Sequence, residues 1–251
     1  MKKAVLLGIM LIIAGLTVSA QRTFTVIAGV SNYAGSSNDL NQSTKDAKNI
    51  AMLYKKKGAI VNLYTSKYAT RSKVLAAIEK ISKASTDQDH IVFYYSGHGA
   101  PNTVCTYTEP GESMMTYDEL FAALDKCKAK DIVCYIDACH AGTAVSALNN
   151  GGRKAGEQWK NIIKASPRYI LMLSSRGEEY SMESPLVGAG YFTRALLKGL
   201  RGKSDSNADR NITVIELFKY VYGDVMLHSD KRQHPQLVTS SALHNNILMS
   251  W

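Results

Sequence analysis

The chain has 251 residues, a hydrophobic content of 45% and a formal net charge of +9. This length and composition predict one well-buried domain and fall short of what a second core needs. The basic residues are scattered along the chain, which disfavours a nucleic-acid groove, so we expect no nucleic-acid partner.

Residues 1–20 have the pattern of a secretory signal peptide. Lys2 and Lys3 precede an apolar run from Ala4 to Val18, and small residues stand just before Gln21. The run is short for a bilayer-spanning helix of about 20 residues, so cleavage before Gln21 is favoured over a transmembrane anchor. No cysteine lies near the cut, which disfavours a lipoprotein. We expect an exported protein, periplasmic or secreted, without a stable membrane anchor after signal removal.

Strand-like and helix-like segments alternate from Thr23 onward. Apolar runs predict strands over residues 23–30, 59–64, 90–95, 132–136, 169–173 and 237–239. Apolar residues at helical spacing predict helices over residues 46–57, 71–82 and 192–200. Capping boxes of Thr116 with Glu119, and of Thr213 with Glu216, predict two further helices. Nearly continuous apolar strands are typical of a parallel sheet covered by helices on both faces.

Two stretches interrupt this alternation and predict long exposed loops. Residues 100–113 are rich in Pro, Gly, Asn and Thr, and residues 149–157 are rich in Asn and Gly. The second loop is the expected place for a protease to cut the chain.

Two short motifs stand where apolar runs end. Residues 94–99 are Tyr-Tyr-Ser-Gly-His-Gly, and residues 135–142 are Tyr-Ile-Asp-Ala-Cys-His-Ala-Gly. Because ligands collect at the carboxyl ends of strands in open α/β sheets, we expect His98 and Cys139 at one mouth. A thiol beside an imidazole can attack an amide carbonyl. The motifs therefore predict a cysteine hydrolase.

In the predicted reaction Cys139 attacks, and His98 donates a proton to the departing amine before it activates water. The backbone N–H groups of Gly99 and Cys139 are the expected oxyanion donors, and Gly99 lets the substrate approach closely. His140 is a rival acid, but it adjoins Cys139 and should point away. Alone, a cysteine at a strand end is more often a small buried hydrophobe, and Gly-His-Gly is more often a turn. Together, the two motifs favour a catalytic role for His98 and Cys139.

The chain resembles the caspase-like cysteine peptidases, in the metacaspase and bacterial caspase-homologue branch (peptidase family C14, clan CD). The resemblance extends over most of the chain after the signal peptide and rests on the two motifs and on residues 26–30, 69–71, 190–193 and 233–235. It implies a three-layer α/β/α caspase-hemoglobinase-like fold with a mainly parallel six-stranded sheet. It also implies one peptidase domain over 21–251, with a large-subunit-like part to about residue 150 and a small-subunit-like part over about 158–251.

The resemblance further implies that Asp46, Ser96 and Asp137 line the pocket for the substrate residue before the cleaved bond, P1. Two carboxylates in a desolvated pocket favour Arg or Lys at P1, since each attracts a cation about 4 Å away by roughly 4 kcal/mol before desolvation. Asp at P1 is disfavoured. The alternative for Asp46 is that it only caps a helix.

Departures from the family pattern limit the inference. Ala141 replaces the usual serine after Cys-His, which should spare the nucleophile. The acidic loop that gives many metacaspases calcium dependence is not recognisable between residues 100 and 116, where only Glu109 and Glu112 are acidic. We therefore expect no metal, no cofactor and calcium-independent activity. Arg153 and Lys154, in the second loop, are expected self-cleavage points; the alternative is a solvated basic loop.

The thiols other than Cys139 leave disulfide formation open. If Cys139 stays free for chemistry, Cys105, Cys127 and Cys134 can form at most one pair. Cys134 lies in a predicted core strand, where a buried free thiol is favoured.

Three other functions compete with the basic-specific peptidase. They are a catalytically silent caspase-like module that binds peptides or partners, a clostripain-like or gingipain-like cysteine peptidase, and an enzyme that cleaves after Asp. The last is disfavoured because no arginine stands in the pocket motifs.

Overall fold

The apolar runs of the sequence form one six-stranded sheet. The computed structural model describes residues 21–33, 38–108, 112–139, 167–176, 181–184 and 189–251. In chain order the elements are β1 (Thr23–Gly29), α1 (Ser43–Lys56), β2 (Ile60–Thr65), α2 (Arg71–Ala84), β3 (His90–Ser96), β4 (Gly99–Ala100), β5 (Thr103–Val104), β6 (Met115–Thr116), α3 (Tyr117–Leu124), β7 (Asp131–Asp137), β8 (Tyr169–Leu173), β9 (Glu183–Ser184), β10 (Ala189–Gly190), α4 (Tyr191–Lys198), β11 (Asn211–Thr213), α5 (Val214–His228), β12 (Gln236–Thr239) and β13 (Ile247–Ser250). A π-helical turn, Gly199–Lys203, continues α4.

The strand order is β12-β8-β7-β3-β1-β2, and only β12 runs antiparallel to its neighbour. The chain passes from β1 to one edge at β2 and then returns to the other side of β1 at β3. The strand order thus reverses between β1 and β3, which is where open α/β sheets bind ligands.

Helices cover both faces of the sheet. Alternate side chains of β1, β3 and β7 pack with α2 and α3 on one face, and the intervening ones pack with α1, α4 and α5 on the other. Strands buried on both faces have to be almost wholly apolar, which explains the continuous apolar runs. The predicted three-layer α/β/α fold and mainly parallel six-stranded sheet are confirmed. No helix in the described ranges is long and apolar enough to cross a membrane.

Most predicted elements occur within a few residues of their expected bounds. Both capping boxes form, Thr116 with Glu119 and Thr213 with Glu216. Helix α1 begins at Ser43, three residues before the predicted start at Asp46. Residues 1–20 and the predicted loop over 149–157 lie outside the described residues.

The prediction of a long exposed loop over residues 100–113 is wrong in its first half. Strands β4, β5 and β6 form a small antiparallel sheet, and Val104 and Cys105 are buried. The physical reason is that Val104 and Met115 join the hydrophobic core, while Tyr95 Oη donates a hydrogen bond to the Cys105 carbonyl (2.8 Å). Residues 109–111 of this stretch lie outside the described residues.

The four cysteines are free thiols. Cys105, Cys127 and Cys134 are buried, and burial raises the pKa of Cys105 and of Cys127 to about 11. The sequence left open whether two of these three cysteines form a disulfide. In the structure none does, and each is a separate buried thiol.

The buried carboxylate of Asp89 links the residue before β1 to the turn before β3 through hydrogen bonds. Asp89 accepts hydrogen bonds from Arg22 through the backbone N–H (3.0 Å), Nε (3.1 Å) and Nη2 (2.7 Å). It also accepts from the N–H (2.8 Å) and hydroxyl (3.0 Å) of Thr86. The Arg22 guanidinium, with the Thr86 donors, holds the pKa of Asp89 well below its usual range despite burial.

We expect Asp89→Asn to lower the free energy of unfolding by about 2 kcal/mol at pH 7, because Arg22 loses its charged acceptor. The folded-state pKa of Asp89 is depressed, so this stability is fully present above the unfolded value near 3.8 and is lost progressively as the pH falls from there through the lower folded-state pKa. Urea unfolding at pH 7 and pH 3 checks this: the stability difference between the two proteins should be largest at pH 7 and smaller, though still present, at pH 3. Equal stability at pH 7 would contradict it.

Candidate active site

The candidate site lies at the carboxyl ends of β1, β3 and β7. The final residues of these strands stand in one row, with Gly29 opposite Ser96 and Ser96 opposite Asp137. A cavity of about 60 Å³ opens there. Its lining includes all the side chains predicted for catalysis and for the P1 pocket: Asp46, Ser96, His98, Asp137 and Cys139. The structure thus brings together residues spread over more than a third of the chain.

The imidazole of His98 is held by the segment that follows β1. Nε2 lies 2.7 Å from the backbone carbonyl of Asn38, and the ring packs against Tyr33 at a centroid distance of 4.7 Å. The Tyr33 hydroxyl also accepts the backbone N–H of His98 (2.7 Å). Since a carbonyl only accepts, Nε2 must carry a proton, and Nδ1 of the neutral ring keeps its lone pair. Tyr33 and Asn38 are not predicted from the sequence, because they belong to neither motif.

Cys139 lies two residues beyond the end of β7 and is half-buried. The turn before it is held by Ser174, whose hydroxyl accepts from Ala138 N–H and donates to Ala138 O, both at 3.1 Å. Cys139 Sγ lies 3.9 Å from the carbonyl of Ser181. His140, Ala141, Arg153 and Lys154 lie outside the described residues.

Gly99 is in close contact with the nucleophile's own backbone. A Cβ atom at this position would lie 2.2 Å from the carbonyl oxygen of Cys139, so only glycine fits. The sequence motif predicts that this glycine lets the substrate approach closely. The structure gives a different reason, which is that the two motifs pack directly on each other.

Asp137 is buried, and three donors hold its carboxylate. The Ser181 hydroxyl donates to Oδ1, while the N–H (3.2 Å) and hydroxyl (2.7 Å) of Thr193 donate to Oδ2. Tyr94 Oη lies 2.6 Å from the Thr193 hydroxyl oxygen and therefore donates to it. Burial raises the pKa of Asp137, and the hydroxyl and N–H donors oppose that rise. Thr193 stands in the first turn of α4, whose partial positive charge favours an anion there.

Asp46 is fully buried, and its side chain leaves its own helix. Its Oδ2 accepts a hydrogen bond from the backbone N–H of Gly190 (3.0 Å), which immediately precedes α4. The N-cap of α1 is Gln42, which makes no side-chain capping bond. Asp46 therefore does not cap its own helix; its carboxylate binds the N-cap residue of α4 instead.

Gly190 lies against both carboxylates. A Cβ at this position would lie 2.8 Å from Asp137 Oδ2 and 3.4 Å from Asp46 Oδ2. In the sequence, residues 190–193 contribute to the family resemblance, but no pattern there gives Gly190 or Thr193 a role. Only the fold reveals their role, because each contacts a carboxylate more than 50 residues away in the chain.

Gln233 supports the wall that carries Ser181. Its Nε2 donates to the carbonyl of Ser174 (2.9 Å), and its Oε1 accepts from the N–H of Met182 (3.0 Å). This side chain is fully buried, so it links the end of β8 to the segment before β9. In the part of the chain that the structure describes, no group of three or more His, Cys, Asp or Glu side chains is placed to hold a metal ion.

The caspase-domain family model matches residues 22–247, which is nearly the whole described chain. The chain belongs to the caspase-domain peptidase family, C14. This membership confirms the resemblance on which the sequence analysis relied. Peptidases of this family are cysteine endopeptidases.

Two of the relatives found are fungal proteins named metacaspase-1. That of Meyerozyma guilliermondii is 27% identical over 265 residues, which cover 92% of this chain and 60% of the relative. That of Scheffersomyces stipitis is 26% identical over 172 residues, which cover 57% of this chain and 41% of the relative. The chain thus matches less than two thirds of the length of either relative.

Solved structures support the same fold. A protein from Geobacter sulfurreducens aligns with a TM-score of 0.63 at 19% identity, over 91% of this chain and 98% of that one. Caspase-1 from Spodoptera frugiperda aligns with a TM-score of 0.63 at 14% identity, over 91% of this chain and 89% of that one. At these identities the likeness shows the caspase fold alone.

We expect iodoacetamide to alkylate the folded protein at Cys139 before any other cysteine. Cys139 is half-exposed, whereas Cys105, Cys127 and Cys134 are buried and burial raises their thiol pKa values. Peptide mass mapping after brief labelling should find one adduct. The Cys139→Ala protein should stay unlabelled until denaturant is added. Equal labelling of the buried thiols in the native protein would contradict the described packing.

Proposed function

We propose that this protein is an exported cysteine endopeptidase in which Cys139 and His98 form the catalytic dyad. The observation that carries the proposal is that both side chains line one cavity at the carboxyl ends of β3 and β7. The bond from His98 Nε2 to Asn38 supports an imidazole whose Nδ1 can take a proton. In this scheme Nδ1 accepts the thiol proton of Cys139 and the thiolate attacks the peptide carbonyl.

The protonated imidazole then donates its proton to the departing amine, which leaves an acyl-enzyme on Cys139. Water activated by His98 hydrolyses this thioester and restores the free thiol. We assign the oxyanion donors to the backbone N–H groups of Gly99 and Cys139, whose main chains lie in contact. The amide bond is thus broken in two steps, each with a proton transfer through the same ring.

We further propose that the enzyme cleaves after Arg or Lys, with Asp46, Ser96 and Asp137 around the P1 side chain. Two buried carboxylates line the same small cavity as the dyad. An arriving guanidinium or ammonium would relieve their mutual repulsion, whereas an aspartate would increase it. Metacaspase-1 proteins stand among the relatives, in agreement with the branch on which this assignment rests.

A fluorogenic peptide panel with Arg, Lys, Asp or Asn at P1 tests the specificity. On residues 21–251 at pH 7.5 in EDTA, we expect the Arg and Lys peptides to be cleaved at least about 100-fold faster than the other two. EDTA is included because we propose that hydrolysis itself needs no calcium or other cofactor. Cys139→Ala should abolish all turnover.

Preferential cleavage after Asp would overturn the pocket assignment while leaving the dyad intact. No turnover of any peptide, together with peptide binding unchanged in Cys139→Ala, would instead favour the silent binding module.

Thr193 provides a second test, because its hydroxyl both donates to Asp137 and accepts from Tyr94. We expect Thr193→Val to lower kcat/KM for the Arg peptide about 10- to 100-fold, mostly through KM, since a hydrogen bond to a charged group is lost. Thr193→Ser keeps both bonds and should stay within about threefold of the parent. The alkylation rate of Cys139 should be unchanged in both variants. An equal loss in the Ser and Val variants would refute this role.

We propose self-cleavage after Arg153 or Lys154, motivated by a basic dipeptide in a glycine-rich stretch of an enzyme that prefers basic residues. On incubation, the intact mass of the parent should give way to two fragments, while Cys139→Ala stays intact. Arg153→Gln with Lys154→Gln should also stay intact while it still cleaves the Arg peptide. If parent and Cys139→Ala keep the same mass, the processing proposal fails.

A further inference from the structure

The connection between α4 and α5 carries oxygen donors at alternating positions. The twelve residues from Asp205 to Glu216, here called the 205–216 loop, have the sequence Asp-Ser-Asn-Ala-Asp-Arg-Asn-Ile-Thr-Val-Ile-Glu. The donor-bearing positions are Asp205, Asn207, Asp209, Asn211, Thr213 and Glu216. They fall at positions 1, 3, 5, 7, 9 and 12, which is the ligand order of the EF-hand calcium loop.

One carboxylate oxygen in the loop lacks a donor. Asp205 Oδ1 is buried and has no hydrogen-bond partner among the described residues. The other oxygen of the same carboxylate accepts from the backbone N–H of Arg210 across the loop (3.0 Å), so this side chain is turned inward. A buried carboxylate oxygen without a partner is costly, and a cation is the group that would satisfy it.

The surrounding architecture also matches a helix-loop-helix unit. Helix α4 with its π-helical turn leads into the loop, and α5 leads out. Ile212, at position 8, is buried and pairs with Met249 in the short antiparallel ladder of β11 with β13. A β ladder at this position fixes the backbone of position 7, whose carbonyl is the ligand in an EF-hand.

Two features show that the loop is not already arranged as a cation-binding site. Position 6, a glycine in the motif, is Arg210, although its φ of 66° is the left-handed conformation that the glycine supplies. Glu216 accepts from Ser206 (Oγ, 2.8 Å) and from Thr213 (Oγ1, 2.7 Å), so its carboxylate holds the loop and caps α5. No three acidic groups of the described chain converge as they stand. Cation binding would therefore turn one Glu216 oxygen inward from Ser206.

We propose that the 205–216 loop binds one calcium ion. The donors are carboxylate, amide and carbonyl oxygens, a mixture that suits the six to eight ligands of Ca²⁺ better than the octahedron of Mg²⁺. With three carboxylates and arginine at position 6, the affinity falls in the weak class of extracellular modules, with Kd of about 10⁻⁴ to 10⁻³ M. The ion joins α4 to α5 and so steadies the helix whose first turn contacts Asp137. It supports the fold rather than the hydrolytic step.

Thermal unfolding of the Cys139→Ala protein tests the site without depending on peptidase activity. The protein is purified in EDTA, dialysed, and scanned with 10 mM CaCl₂, 10 mM MgCl₂ or EDTA. We expect CaCl₂ to raise Tm by about 3 to 8 °C and MgCl₂ to raise it much less. Calorimetric titration with CaCl₂ should give one site.

Two variants locate the ion. Glu216→Gln keeps an oxygen for the capping box, and Asp205→Asn keeps an acceptor for Arg210; both should abolish most of the calcium shift. Glu119→Gln is the matched control, because Glu119 caps α3 as Glu216 caps α5. It should lower Tm equally with and without calcium and keep the full shift. No calcium shift in the parent, an equal shift with MgCl₂, or a full shift in Glu216→Gln would each overturn the proposal.

Discussion

The constraint on which the rest of the structure depends is the burial of two carboxylates beside each other. Asp46 lies in helix α1 and Asp137 ends strand β7, and both line a cavity of about 60 Å³. Removal of a carboxylate from water is costly unless donors replace the lost hydration. All but one of those donors come from the start of α4: the Gly190 N–H reaches Asp46, and Thr193 reaches Asp137, to which Ser181 also donates. The positive end of one helix therefore serves two acids.

This requirement explains several residues that otherwise look unrelated. Helix α1 must lie close to the end of β1 to bring Asp46 into the cavity, and a Cβ at Gly29 would lie 2.5 Å from the carbonyl of Ser43. Gly190 must lack a side chain because its backbone lies against both carboxylates. Tyr94 must carry a hydroxyl, because Thr193 donates its own proton to Asp137 and needs a donor in return. The packing of the apolar elements places the two carboxylates, and the contacts of these glycine and hydroxyl groups allow them to stay buried.

The sequence was informative wherever a local pattern determined the structure. The strands, the two capping boxes and the placement of His98 and Cys139 at strand ends all follow from short-range periodicity and from the rule that sites lie at carboxyl ends of strands. Contacts between distant segments were not predictable in this way. Asn38 reaches His98 through a backbone carbonyl, which any residue could supply, so no side-chain pattern marks it. The buried strand after the histidine motif was missed because its polar neighbours look like a loop.

The division of the site between two parts of the chain bears on what a cut between them would do. Strands β7 and β8 flank the stretch that holds Arg153 and Lys154, and they are paired in parallel register from Ile132 with Tyr169 to Ile136 with Leu173. Thr193 and Ser181 add further bonds across the same boundary, since the hydroxyl of each donates to Asp137. Each fragment of a cut chain would thus stay held by a central sheet pairing and by buried polar contacts. A break there would not separate the dyad from its two carboxylates, since Asp46, His98, Asp137 and Cys139 all precede it, nor from the donors that hold them.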